Sequence, residues 1–296
     1  MRESAVKIAV CVTRVVDLSQ PLSARSGTLE SQGGPLRYCL NRADSGALEQ
    51  ALRVKDRLPG AQVIVVTLGP PECEALLREC LAAGADEALL LWDPDFEGGD
   101  TLATARVLSR AALRLGADLV LCGREATDGA TGQTPLQVGE LMGVATISGV
   151  LHLELADGLS EVIVHRKLER GYRAVLRCAL PAVLALEPGM SPLRYPRLQD
   201  RFRARRASVQ RWAREDLGLS PEDVGERGSC VRVLEIGPAK PDTRGLLVPE
   251  AGLSGMERWQ AVISGGLGGR ESSLVEGSPA VQAERLLAFL SNRGLT

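Results

Sequence analysis

A polar loop near the middle of the chain carries residues suited to binding an anion. An apolar run that predicts a buried strand, Leu119–Leu121, leads into residues 124–134, and helical spacing of apolar residues resumes at Leu136. A loop between a strand and the start of a helix presents backbone N–H groups and the positive end of the helix dipole, which suit a phosphate. Its glycines permit close approach of the backbone, and its side chains form hydrogen bonds. These residues are Asp128, Gly129, Thr131, Gly132, Gln133 and Thr134.

Two upstream segments could meet the same ligand. Asn41 and Asp44 stand where the apolar spacing of a helix begins, so they could contact a ligand or simply lead into the helix, with Asp44 or Ser45 as its cap. The segment 67–69 ends a strand-like run, at the edge where open α/β sheets bind ligands, although a tight turn accounts for it equally well. Distant loops that close over one nucleotide would explain all of these segments.

The elements that must position these loops alternate between strands and helices in the first part of the chain. Such alternation indicates right-handed βαβ units and a parallel, Rossmann-like sheet. A turn is predicted at 13–17 and a loop or hairpin over 18–38. The predicted strands are 6–12, 62–68, 87–91 and 118–122. One helix is predicted to start at Ser45, and two more are predicted over 74–83 and 102–115.

The pattern changes after about residue 145. Strand-like runs at 150–155 and 161–166 are joined by Asp157-Gly158, a hairpin signal, and two more fill 172–186 around Pro181. These runs predict antiparallel edge strands added to the parallel sheet.

The C-terminal part is irregular from Pro188 onward. Its prolines and arginines predict an exposed arm over 194–211, and an amphipathic helix is predicted at 280–293. We therefore expect an α/β nucleotide- or flavin-binding core over 1–190, with a C-terminal arm and extension over 191–296.

Composition excludes several functional classes. Hydrophobic residues make up 45% of the 296 residues and charged residues 24%, which is typical of globular proteins. The net charge of −2 argues against nucleic acid as a partner. Seven scattered cysteines form no CxxC pair, so they predict reduced thiols and a cytoplasmic protein. No hydrolase or metalloprotease motif is present. The site therefore either binds a nucleotide alone or holds a redox cofactor that supplies the chemistry.

Several stretches, in one order, resemble the β subunits of electron transfer flavoproteins, a group that includes the FixA proteins. CVTRVVD (11–17) is similar to the opening of the family, and NRADSGALEQALRVKD (41–56) is similar to its N-P-x-D-x-x-A motif, with Arg42 in place of proline. VTLGPPECEALLRECLAAGADEALLL (66–91), LCGREATDGATGQT (121–134) and the arginine-rich 186–212 continue the resemblance. It spans about 1–235, and no family match is recognised over 240–275.

The resemblance implies an α subunit that carries FAD and a nucleotide in this chain. Ordinary members hold AMP in the β subunit, whereas electron-bifurcating members hold a second FAD. Gly129 and Thr131 match the bifurcating loop, and Thr134 matches the AMP loop. Glycine in place of a second carboxylate removes a negative charge and makes room for the extra phosphate of a dinucleotide, which favours FAD.

Three functions follow as alternatives. In the first, NADH reduces the FAD of this subunit, and electrons pass through the α-subunit FAD to a quinone-linked or acyl-CoA dehydrogenase partner and to ferredoxin or flavodoxin. In the second, the subunit holds structural AMP and shuttles electrons from dehydrogenases to a quinone reductase (a quinone oxidoreductase). In the third, the chain is a nucleotide-binding regulatory module.

The resemblance also implies roles for individual residues. Asn41 and Asp44 would hold the adenosine, the segment 67–69 would line the floor, and the loop 128–134 would wrap the phosphates. The arm would dock on the α subunit or on redox partners. The implied cofactor-binding set is Ala9, Asn41, Asp44, Thr67, Leu68, Gly69, Asp128, Gly129, Thr131, Gly132, Gln133 and Thr134.

Overall fold

The computed structural model describes residues 6–25, 28–31, 34–156, 160–189, 191–232, 234, 252–263 and 277–292. Two compact units divide the chain after Pro238. The boundary predicted at residue 190 therefore falls inside the first unit. The predicted turn Asp157-Gly158 lies outside the described residues.

Strands and helices alternate through the first unit, and the mixed α/β class with a largely parallel sheet is confirmed. Its helices are α1 (Arg42–Arg57), α2 (Glu74–Ala83), α3 (Thr101–Leu115), α4 (Thr134–Met142) and α5 (Leu198–Arg206). Its strands are β1 (Lys7–Cys11), β2 (Arg14–Val16), β3 (Leu22–Arg25), β4 (Thr28–Ser31), β5 (Tyr38–Leu40), β6 (Gln62–Leu68), β7 (Glu87–Leu91), β8 (Leu119–Gly123), β9 (Ala145–Leu155), β10 (Glu161–Lys167), β11 (Arg173–Ala179), β12 (Ala182–Leu186) and β13 (Gln210–Trp212).

The main sheet has the strand order β11-β10-β9-β12-β8-β1-β6-β7-β13. From β1 the chain moves outward through β6 to β7, then crosses back to place β8 on the other side of β1. The order in which strands are added to the sheet therefore reverses between β1 and β8, although the two strands are parallel. Open α/β sheets bind ligands at such a switch point, beyond the carboxyl ends of the strands.

Helices cover both faces of this sheet because its central strands are apolar on both sides. One buried cluster joins the sheet to α1 and α2 through residues such as Leu48 and Leu77. A second cluster joins the opposite face to α3 and α4 through residues such as Ala105 and Val138. The strands and helices that lead to the switch point are thus fixed by burial on both faces.

Three elements differ from the sequence predictions. The predicted turn at 13–17 contains β2, which pairs with β5. The hairpin alternative predicted within 18–38 is confirmed by β3 and β4. Helix α1 begins at Arg42 after the N-cap Asn41, so the prediction that Asp44 or Ser45 caps it was wrong. Strands β9–β11 form the predicted antiparallel edge, but β12 lies inside the sheet, parallel to both β8 and β9.

The arginine-rich arm packs on the core instead of projecting freely from it. Helix α5 buries Ala204 and packs against α2, and β13 extends the sheet beside β7. Three nitrogens of Arg194, one of them its backbone N–H, donate to the buried carboxylate of Glu49 at 3.0–3.2 Å, and Arg211 pairs with Glu74. Ion pairs therefore fix both ends of the arm.

The second unit contains α6 (Gly255–Ile263) and α7 (Pro279–Asn292), and α7 confirms the predicted terminal helix. In the parts of the chain that the structure describes, none of the helices is both long and apolar enough to cross a membrane.

Candidate functional site

A cleft of about 260 Å³ opens at the switch point, beyond the carboxyl ends of β1, β6 and β8. Its floor is apolar and includes Val66, Leu68 and Leu108, whereas its rim is polar. The loop 124–134 and the start of α1 form that rim. An apolar floor under a few converging polar groups is the usual form of a small-molecule site.

The Asp44 carboxylate joins the two sides of the switch point. It accepts the backbone N–H of Thr13, after β1, and the backbone N–H of Gly123, at the end of β8, each at 2.8 Å. The side chain is fully buried, and this burial raises the pKa of Asp44 to about 6 despite the hydrogen bonds, which act in the opposite direction. Asp44 thus holds the start of α1 against both strand ends.

The close approach of α1 to β8 requires glycine at position 123. A Cβ atom there would overlap the Asp44 carboxylate and lie 2.6 Å from the Cβ of Ala43. Real Cβ atoms do not approach other atoms so closely, so any side chain would push α1 away from the strand. The Asp44 bridge and the glycine therefore depend on each other.

Asn41 provides an acceptor that the protein leaves unused. Its Nδ2 group donates to the Glu125 carbonyl at 3.0 Å, and its backbone N–H donates to the Thr13 carbonyl. Its Oδ1 atom is buried without a hydrogen-bond partner among the described residues. Buried polar atoms are nearly always bonded, so this oxygen at the cleft fits a ligand that donates a hydrogen bond, such as an adenosine.

Two helix starts face the cleft without a capping side chain. Neither Asn41 at α1 nor Gln133 at α4 forms a side-chain cap to its helix. Gln133 instead accepts a hydrogen bond from the Thr101 hydroxyl at 3.2 Å, which ties the loop to α3. Free N–H groups at a helix start bind anions, so this rim fits the phosphates of a nucleotide.

One arginine supplies the positive side-chain charge at the rim. Among the residues that line the cleft, Arg124 is the cation and Asp44 and Glu125 are the anions. The Arg124 guanidinium bonds to Glu125 at 3.1 Å and to the nearly buried Glu187 at 3.2 Å. Lys167 also contacts Glu187, at 3.3 Å. Glu187 therefore holds Arg124 beside the cleft.

The structure brings most of the sequence-predicted residues to this cleft. Eight of them line it: Asn41, Asp44, Leu68, Gly129, Thr131, Gly132, Gln133 and Thr134.

The other four residues of the implied set do not line the cleft. Ala9 lies inside β1, two residues before Cys11, which does line it. Strand alternation turns Thr67 to the opposite face from Val66 and Leu68. The Gly69 N–H bonds to the Leu91 carbonyl, and Asp128 lies in the loop outside the lining.

Sequence reasoning missed several residues of the site. The loop motif that identified Asp128–Thr134 could have included the two residues after Gly123, because they belong to the same segment. The thiols of Cys11 and Cys122 lie together in the cleft because β1 and β8 are neighbours in the sheet. No local sequence pattern predicts that pairing. The missed lining residues with polar or thiol side chains are Cys11, Thr13, Thr104, Cys122, Arg124 and Glu125.

Comparison with known proteins gives a consistent result. Residues 36–217 match the family model described as Electron transfer flavoprotein domain. The Caffeyl-CoA reductase-Etf complex subunit CarD of Acetobacterium woodii is 38% identical over 230 residues, 77% of this chain and 86% of that protein. Protein FixA of Azotobacter vinelandii is 34% identical over 242 residues, 79% of this chain and 85% of that protein.

One similar protein matches nearly the whole chain. The electron transfer flavoprotein subunit beta of Methylophilus methylotrophus is 29% identical over 287 residues, 97% of this chain and 98% of that protein. Its alignment reaches across most of 240–275, where no family match was recognised from the sequence motifs.

Replacing Gly123 by alanine should disrupt the Asp44 bridge. The new methyl group overlaps Asp44 and Ala43, so we expect a loss of about 2 kcal/mol or more in the free energy of unfolding, measured in urea. Gly129→Ala is the matched control, because a Cβ there meets nothing within 4 Å. Its unfolding free energy should stay within about 0.5 kcal/mol of the parent protein. Equal losses in both variants would contradict the packing argument.

The raised pKa of Asp44 predicts a pH dependence of stability. Its pKa rises from 3.8 to about 6 on folding, so the stabilisation from its protonated form is full below about pH 4 and disappears as the pH rises through about 6. Relative to Asp44→Asn, the parent protein should lose about 3 kcal/mol of unfolding free energy over that range. Urea unfolding of both proteins at several pH values measures this difference. A difference that stays constant with pH would show that Asp44 titrates normally.

Proposed function

The chain belongs to the electron transfer flavoprotein family, among its β subunits and FixA proteins, and from this premise we propose that it binds FAD in the cleft and takes electrons from NADH. The two electrons of NADH then separate. One passes through the FAD of an α subunit to a quinone-linked or acyl-CoA dehydrogenase partner, and the other passes to ferredoxin or flavodoxin. Family membership favours this function over a nucleotide-binding regulatory module.

Gly129, in the loop at the rim, is the main reason for proposing FAD as the ligand. Gly129 lines the cleft, and the space around its Cα is open, with no atom within 4 Å of an added Cβ. An uncharged, open position in this loop accommodates a second phosphate better than a carboxylate would, because two negative charges close together repel each other. The neighbouring Arg124 and the uncapped start of α4 favour added negative charge for the same reason.

Different residues of the cleft would bind different parts of such a ligand. Asn41 Oδ1 would accept a hydrogen bond from the adenosine, and the apolar floor would contact its base. The N–H groups at the start of α4, with Thr131 and Arg124, would bind the diphosphate. Bound FAD would supply the capacity to accept two electrons from a hydride donor and release them singly. The protein would provide position and electrostatics.

A similar protein supports the acyl-CoA partner. CarD is a subunit of a protein named as a caffeyl-CoA reductase-Etf complex, and it is 38% identical to this chain. A reductase complex of that type suits a subunit that delivers electrons to an acyl-CoA partner. We therefore place this chain in a heterodimer with an FAD-binding α subunit that serves a dehydrogenase.

The cleft itself supports a second candidate, the simple carrier with structural AMP. Its volume of about 260 Å³ lies below the usual range of ligand pockets, which begins at about 300 Å³, and suits one nucleotide unit. In that function the subunit shuttles electrons from dehydrogenases to a quinone reductase and does not react with NADH.

Nucleotide content distinguishes the two functions. Purified with its α subunit and denatured in acid, the heterodimer should release FAD from both subunits and no AMP, as measured by chromatography of the extract. NADH should also bleach the flavin absorbance of the native heterodimer. Release of AMP together with a single FAD, and no bleaching by NADH, would establish the simple carrier.

The charge argument at the loop has its own test. Gly129→Asp should reduce FAD retention in this subunit by about tenfold or more, which corresponds to about 1.4 kcal/mol. Gly129→Asn adds a side chain of the same size without the charge and should retain most of the FAD. Equal losses would assign the effect to size alone, and no loss in either variant would remove the support that Gly129 gives to FAD.

We further propose that the arm 194–211 docks on the α subunit or on a redox partner. Leu198 and Phe202 are 69% and 56% exposed and lie one helical turn apart on α5, beside Tyr195, which is 84% exposed. Arg201 stacks on the Tyr195 ring. Apolar and aromatic side chains fixed in water among arginines are typical of interface anchors.

Substitution of Leu198 tests the arm. Leu198→Asp should lower either the affinity for the α subunit or the rate of electron exchange between the intact heterodimer and its dehydrogenase by about tenfold or more. Titration of the subunits measures the affinity, and stopped-flow absorbance measures the rate. Leu168→Asp alters an exposed leucine outside the arm and should change neither quantity. An arm variant that behaves like this control would exclude docking through Leu198.

A further inference from the structure

Two thiols lie side by side on the floor of the cleft. Cys11 and Cys122 are register partners on the adjacent strands β1 and β8, at the switch point, and both line the cleft. Neither forms a disulfide. Adjacent strands lie about 4.8 Å apart, and disulfides join residues whose Cα atoms are about 4.4–6.8 Å apart. A bond between the two sulfurs therefore requires little movement of the backbone.

The surroundings give the two thiols different roles. Cys122 is buried, and its hydrogen bond with the Cys11 thiol, together with this burial, raises its pKa well above the usual range. Cys11 is only partly buried, so its sulfur meets a reagent that enters the cleft first. Cys122 then lies within reach to react with an oxidised Cys11. Such a pair, an accessible thiol beside a resolving thiol, is the arrangement found in redox-sensitive sites.

The other described cysteines compete poorly for a bond with Cys11. Cys73, Cys80 and Cys178 belong to the buried cluster on the opposite face of the sheet, and none of them lines the cleft. Cys39 and Cys230 are exposed, and neither lines the cleft. Cys122 is therefore the natural partner of Cys11.

We propose that Cys11 and Cys122 form a peroxide-sensitive dithiol that closes to a disulfide when the cleft is empty and is shielded when a nucleotide fills it. Cys11 first attacks hydrogen peroxide, which breaks the O–O bond and gives Cys11 sulfenic acid and one water. Cys122 then attacks the sulfenic sulfur, which releases a second water and forms the S–S bond. Together the two thiols lose two electrons and two protons, and the peroxide is reduced to two molecules of water. A thiol reductant reverses the reaction.

The shielding follows from the position of the pair. The thiols form part of the same floor as Val66 and Leu68, under the rim made by Asn41 and the loop 124–134. A ligand held by that rim covers the floor and excludes peroxide from Cys11. The redox state of the pair would then report whether the subunit has lost its nucleotide. The shielding rests on the proposed nucleotide site, whereas formation of the disulfide does not.

The experiment uses the full chain with its α subunit, in a Cys39→Ser and Cys230→Ser background that removes the exposed thiols. After the nucleotide is stripped, hydrogen peroxide should lower the intact mass of this chain by two hydrogen atoms. Peptide mapping should find Cys11 linked to Cys122, and dithiothreitol should restore the mass. With Cys122→Ser added, Cys11 should gain oxygen and form no link. Absence of the link, or a link between other cysteines, would overturn the proposal.

Protection is measured on the same protein with AMP or FAD added before the peroxide. A saturating nucleotide should slow formation of the disulfide by about tenfold or more, equivalent to about 1.4 kcal/mol of protection. Equal rates in the presence of a nucleotide whose binding is confirmed by equilibrium dialysis would overturn the shielding. Failure of both nucleotides to bind, with the link still formed, would count against the proposed function and leave the dithiol standing.

Discussion

The site depends on one buried carboxylate. Asp44 accepts backbone N–H groups from the ends of two parallel strands that are neighbours at the switch point of the sheet. Placing a carboxylate out of water is unfavourable, and its raised pKa reports that cost. The two charge-assisted hydrogen bonds offset it, because without Asp44 both donors would lose this partner, and the Gly123 N–H is buried. The bridge fixes the start of α1, and with it Asn41, over the cleft.

The same bridge determines the electrostatics of the cleft. The carboxylate directs its charge toward Thr13 and Gly123, so those amides neutralise much of it. Arg124 and Glu125 at the rim pair with each other at 3.1 Å, so the uncapped start of α4 is the positive end that remains for a ligand. An anionic ligand is therefore favoured although Asp44 lines the site. A nucleotide, with an adenine for the apolar floor and phosphates for the rim, satisfies both parts of the cleft.

Sequence patterns predicted the elements whose residues are buried in a regular period. Strands β6 and β7 and helix α2 match their predicted bounds because apolar periodicity and glycine or proline boundaries coincide there. Composition misled for α5 and β13, since α5 packs against α2 and the arginines on either side of α5, Arg194 and Arg211, form ion pairs with the core. The sequence predicted β12 as an edge strand because the strand-like runs before it form antiparallel pairs. Every residue of β12 is buried, however, and the strand lies inside the sheet. The loop 128–134 was found from its residue types, but Cys11 and Cys122 meet only through strand order.

The rim loop is shaped before any ligand arrives. Ala130 has φ 45° and Gly132 has φ 62°, so the chain passes twice through the left-handed region within three residues. For alanine this costs about 1 kcal/mol, and such strain persists only where the surroundings enforce it. The Ala130 N–H donates to the Ala126 carbonyl, and Thr101 holds Gln133 from α3, so the turn is closed from both sides. A ligand that binds a preformed loop loses little free energy in ordering it. The exposed side chains of this loop can therefore be substituted without rebuilding the Asp44 bridge beneath them.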